Sequence, residues 1–110
     1  MTEKERKFLS DISNSIELIE SFTKDLKSFG EYQKDFKTKG AVERHLGIIG
    51  EAVNKFLKES NTNEFKNASQ IISLRNRLIH SYDNVDDSII WSIVTRHLRP
   101  LKDEINKKIG

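Results

Sequence analysis

The stretch "LRNRLIHSYDNVD", residues 74–86, gathers the side chains of this chain best suited to chemistry. Arg75, Asn76, His80 and Tyr82 fall within eight residues of one another. Cleaving RNA without a metal needs a base to take the ribose 2′-hydroxyl proton and a cation to stabilise charge on the phosphorane. Histidine titrates near neutral pH and can do the first. The fixed fork of arginine donors suits the second. Tyr82 could hydrogen-bond a phosphate or stack on a base. A single histidine supplies only one proton-transfer group, so a symmetric dimer pairing two such sites would help the chemistry.

Arg75 is also out of place. On a helix turning about 100° per residue, Ile71, Ile72, Leu78, Ile79 and Tyr82 all fall within about 60° of it. A guanidinium on an apolar face is costly unless it is paired or reaches a wet cleft. Glu43 or Glu51 could supply the carboxylate, which would make Arg75 half of a structural ion pair. Asn76, Arg77 and His80 cluster on a neighbouring face, where His80 could equally do no more than cap the helix end.

The elements that must position these residues are helical. Phe8, Ile12, Ile16, Ile19, Phe22 and Leu26 recur at helical spacing and predict a helix over about 3–27. Ser28 to Glu31 reads as a capping box opening a short turn of helix through Phe36. Val42, Leu46, Ile49, Val53 and Phe56 form an apolar stripe for a long helix over about 39–59. Gly47 and Gly50 lie inside that helix, where each costs about 1 kcal/mol relative to alanine. With Glu43 and Asn54 they make a small polar face, either for tight packing within the bundle or for the approach of a ligand or second protomer.

A turn-rich loop follows, and then the motif helix over about 67–82. Asp86 is placed as an N-cap, with Val85 and Ile90 as a hydrophobic staple. A last helix runs from Asp87 towards Ile109, with a kink expected at Pro100. Arg96, Arg99, Lys102, Lys107 and Lys108 make it locally basic, though Asp103 and Glu104 dilute the charge, and a solvated face is favoured over an RNA track. Trp91 is read as core or dimer interface. The expectation is an all-α, up-down bundle of four to five helices in one domain, residues 1–110.

Composition removes several classes of function. The chain has no cysteine, which excludes disulfides and thiolate chemistry. Its three histidines, His45, His80 and His97, are scattered and form no close ligand set, so neither metal nor cofactor is expected. With 19 basic and 17 acidic residues, the balance permits phosphate contacts without demanding them. No apolar run is long enough to span a bilayer, and "MTEKERKF" lacks an apolar signal core. No membrane association and a cytoplasmic location are therefore expected.

"RNRLIHSY" has the form R-x-x-x-x-H-x-Y, the signature of the HEPN superfamily, and the sequence resembles its HepT-like branch. "AVERHLGIIGEAV" is similar to that family's second helix, "RNRLIHSYDNVD" to its motif helix and turn, and "IIWSIVTRHLRPLKDEI" to its last helix, proline included. The resemblance implies a helical bundle that dimerises, with the motif helices lining a shared cleft. It implies a metal-independent endoribonuclease, the toxin of a toxin–antitoxin pair whose antitoxin is a minimal nucleotidyltransferase. Carried over by position, Arg75 and His80 would be catalytic, Asn76 and Tyr82 supporting, and Tyr82 the residue to which the antitoxin adds AMP. The alternative is a non-catalytic helical binding module that partners a nucleotidyltransferase. A purely structural bundle with a buried Arg75–glutamate pair stands third.

Overall fold

The computed structural model describes residues 1–60, 65–80 and 86–109, with side chains for all of these except 78–80. Tyr82 and Val85, half of the expected staple, lie outside the described residues. Six α-helices run through the rest: α1 (Glu3–Thr23), α2 (Phe29–Lys34), α3 (Phe36–Glu59), α4 (Ser69–His80), α5 (Asp87–Arg96) and α6 (Leu98–Ile109).

Each early boundary has a cap. Thr2 accepts from the Glu5 amide at 3.1 Å and Glu5 accepts from the Thr2 amide at 3.2 Å, a closed capping box at the start of α1. α1 ends at Thr23, earlier than the apolar spacing predicts. The Thr23 hydroxyl donates to the Ile19 carbonyl at 2.8 Å, and Leu26 turns back to the Thr23 carbonyl. Ser28 caps α2 through the Glu31 amide at 3.2 Å. Asp35 then closes α2 and opens α3, accepting from the Thr38 amide at 3.1 Å and the Thr38 hydroxyl at 2.7 Å. That cap starts α3 three residues before the expected Lys39.

The largest departure is at the other end. In place of one kinked helix there are two, separated at His97. Pro100 has no N–H for the Arg96 carbonyl, and its ring crowds that carbonyl, so the helix cannot run through. His97 caps α5 through the Ile93 carbonyl at 2.9 Å, and Pro100 sits in the first turn of α6, where a missing donor costs little. Asp86 caps α5 as expected, accepting from the Ser88 amide at 2.8 Å and its hydroxyl at 2.7 Å.

α3 is the centre of the bundle. α1 packs along one side of it and α4 along the other, while α2 bridges α3 to α5, and α6 packs on α1 and α5. Ser15 meets His45 and Glu5 meets Ser60, so α1 and α3 run antiparallel. Glu51 meets Arg75 and Phe56 meets Phe65, which sets α4 antiparallel to α3. The buried apolar residues form one cluster, with Leu9, Ile12, Ile16 and Ile19 of α1 against Leu46, Ile49, Val53 and Phe56 of α3. Trp91, half-buried, stacks on buried Tyr32 with ring centroids 5.2 Å apart, a core role for both. Among the described residues, no helix is long and apolar enough to cross a membrane.

The basic residues of α6 are largely spent on neighbours. Lys102 reaches Glu20 at 3.0 Å and Glu17 at 3.8 Å, and Arg99 reaches Glu20 at 3.6 Å, tying α6 to α1. Glu104 accepts from the backbone amides of Lys66 and Asn67 at 2.8 and 2.9 Å, so α6 holds the chain as it enters α4.

Candidate active site

Arg75 leaves α4 where that helix presses closest to α3. An atom added at the Cα of Gly50 would stand 2.5 Å from the Arg75 Cβ, so only glycine lets the two backbones approach this far. Ile71 and Leu74 carry the buried face of α4, while Arg75 lies at its edge with 22% of its side chain exposed. The sequence puts Arg75 at the middle of the apolar stripe. The packing moves it to the rim, where the stem crosses Gly50 and the guanidinium emerges.

Two acceptors hold that guanidinium. One terminal nitrogen donates to a Glu51 carboxylate oxygen, and the other donates to the Asn76 side-chain carbonyl at 3.1 Å. The Nε is buried and has no acceptor among the described residues. Lys55 stands 3.8 Å from the second Glu51 oxygen. Of the two glutamates offered as partners for Arg75, Glu51 takes it. Glu43 does not: it lies by the Lys39–Asp87 pair, whose own separation is 2.7 Å. Burial holds the Glu43 carboxyl above the usual carboxylate range, with Asp87 adding to the effect and Lys39 opposing it. The reason is rotational, since Gly50 sets α4 over one face of α3 and Glu51 is the next residue on.

The two glycines consequently separate in role. Gly50 is packed under α4, whereas nothing comes within 4 Å of where a Gly47 Cβ would be. Gly47 opens instead onto a cleft of about 450 Å³ between α1 and α3, whose wall includes Lys7, Arg44, Lys55 and the Arg75–Glu51 pair. The sequence reading missed those three cations, although Arg44, Gly47, Glu51 and Lys55 recur at helical spacing on α3. A second depression of about 520 Å³ lies between α4 and α5, where Ser73 and Arg77 face Ser88, Ser92 and His97.

His80 is the last residue of α4; its side chain, and Tyr82 altogether, lie outside the described residues. Asn76 is exposed beside Arg75. His45, on α3, meets the Ser15 hydroxyl at 3.2 Å through Nδ1 and packs against Phe22 at 5.8 Å between ring centroids. Burial, with Arg44 next to it, holds this imidazole below the ordinary histidine range. Arg75 is fixed by a carboxylate and an amide at the mouth of an open cleft, and beyond its buried Nε two terminal N–H donors remain uncommitted, which is chemistry suited to an anion.

The pattern of the ribonuclease HepT-like family matches residues 12–107. The chain belongs to that family. Membership places it among RNase enzymes, with RNA as the substrate class. It is 34% identical over 113 residues to a protein of Thermococcus cleftensis named "Probable ribonuclease HepT", covering 97% of each chain. It is 43% identical over 91 residues to a protein of Methanocaldococcus jannaschii named "Putative RNase", covering 81% of this chain and 74% of that one. A "Putative RNase" of Caldanaerobacter subterraneus subsp. tengcongensis shares 31% identity over 103 residues, covering 93% of this chain and 91% of that one. No solved structure matches the chain.

Proposed function

We propose that this HepT-like chain is a metal-independent endoribonuclease and the toxin of a toxin–antitoxin pair. The carrying observation is Arg75 itself, a cation seated on the edge of a packed face and aimed by Glu51 and Asn76 into an open cleft. His80, five residues on at the end of the same helix, is its chemical partner. His80 takes the proton of a ribose 2′-hydroxyl, whose oxygen attacks the adjacent phosphorus. The bond from phosphorus to the 5′-oxygen breaks, leaving a 2′,3′-cyclic phosphate and a 5′-hydroxyl that needs a proton. Arg75 stabilises charge on the pentacoordinate phosphorus, and Asn76 and Tyr82 orient the groups.

One histidine cannot be base and acid in a single pass, so a homodimer with a composite cleft supplies the second from the other protomer. The antitoxin in this reading is a minimal nucleotidyltransferase. It silences the site by moving AMP from ATP onto the Tyr82 hydroxyl, with pyrophosphate released. Purified protein in excess EDTA, beside His80→Ala at matched folding, tests the reading. The expected result is RNA cleavage by the first and a loss of at least 100-fold in the second. Intact RNA with both, and Tyr82 unmodified by mass spectrometry, would make the chain a binding module for its nucleotidyltransferase instead.

A further inference from the structure

The cleft beside Arg75 is larger than one phosphate requires, and its chemistry is not that of a structural gap. Lys7, Arg44, Lys55 and Arg75 line it against Asp11 and Glu51. That leaves a surplus of two positive charges, equal to the formal net charge of the whole chain. Within the cleft Lys7 pairs with Asp11 at 3.0 Å, and Lys55 and Arg75 share Glu51, so the surplus comes from that shared carboxylate and from Arg44. Arg44 is exposed and has no ion pair among the described residues. Phe8 adds an aromatic edge to the same wall.

Gly47 is the second observation. Glycine is among the least favourable residues for a helix interior, and at Gly50 the approach of α4 explains it. At Gly47 no part of the protein comes near enough to need it. A bare patch of backbone in the floor of a basic cleft is where a ligand can come close. From Arg44 to Lys55 the cleft follows α3 for about 16 Å, room for more than one internucleotide phosphate.

We infer that this α1–α3 cleft seats the single-stranded RNA backbone flanking the scissile bond, with Arg44, Lys55 and Lys7 on phosphates, a base against Phe8, and the strand lying over Gly47. Cations interleaved with an aromatic are the chemistry by which single strands are held. The inference rests on the nuclease reading only for the identity of the strand.

Anisotropy of a dye-labelled single-stranded RNA on full-length His80→Ala protein, titrated across a salt series, tests it without cleavage. Adding Arg44→Ala and Lys55→Ala should weaken binding about tenfold at low salt. Each lost phosphate contact should flatten the slope of log affinity against log salt by about 0.7. Gly47→Gln, which builds into open space and so folds, should weaken binding through bulk alone. Arg96→Ala and Lys107→Ala, away from the cleft, should leave the slope unchanged. Unaltered binding in the cleft variants, a changed slope in the two controls, or no RNA binding at all overturns the inference. Cleavage by the unsubstituted chain is scored separately. Cleft-dependent binding without cleavage removes the nuclease reading alone, and His80-dependent cleavage with cleft-independent binding removes this one alone.

Discussion

Arg75 and Glu51 form a pair whose value is positional more than energetic. Both side chains keep solvent contact, at 22% and 39%, so the pair contributes about 1 kcal/mol or less to stability. Its effect on Arg75 geometry is another matter, because a guanidinium released from Glu51 must be re-aimed at each turnover. Glu51→Gln is therefore expected to change the unfolding free energy, read by denaturant titration, by no more than about 1 kcal/mol while lowering RNA cleavage at least tenfold. Equal losses in both would make the pair structural. The anomaly at Arg75 was legible from a helical wheel, but its partner was not. Glu43 and Glu51 both lie on the helix that faces it, and only the seating of α4 on Gly50 chooses between them. Lys7, Arg44 and Lys55 were illegible as a group because they sit on two helices and each alone reads as ordinary surface.

Among the elements, α3 offers a matched pair of tests, since two glycines three residues apart have opposite surroundings. Gly47→Ala adds a methyl to open space and should stabilise the protein by about 0.5–1 kcal/mol through helix propensity. Gly50→Ala drives its methyl into the Arg75 stem and the Ile71 carbonyl, at 2.5 and 3.2 Å, and should destabilise by about 1–3 kcal/mol. Thermal melts of the two variants read the signs directly. Sequence periodicity found the long apolar stripes and the Ser28 and Asp86 caps. It placed the start of α3 late because Gly40 weakens the helical pattern there while the Asp35 cap needs only Thr38. It also read Pro100 as a bend. Periodicity continues across His97, so only the missing backbone donor marks the break between α5 and α6.

For the molecule as a whole, the seam between α1 and α3 carries a titratable latch. His45 lies in that seam against Ser15 and Phe22, and burial keeps its imidazole below the unfolded value of 6.5. Above pH 6.5 both states are neutral and stability is complete. As pH falls below 6.5 the unfolded chain binds a proton that the folded chain does not, so stability declines towards the lower folded pKa. Denaturant midpoints measured across that interval should fall for the natural chain and fall less for His45→Gln. The same seam forms the wall of the cleft, and Arg44, adjacent to His45, adds to the shift. The all-α bundle was legible because every segment carries a helical period, and α2 was legible from its Ser28 cap, whereas the division of the last helix into α5 and α6 was not, since a single residue sets it. Assembly has an order in time as well. The backbone amides of Lys66 and Asn67, at the entry to the motif helix, find their acceptor in Glu104, respectively 38 and 37 residues further along the chain. A nascent chain that has already emerged through Arg75 and His80 still lacks that anchor, so synthesis completes the motif helix before α6 arrives to fix it.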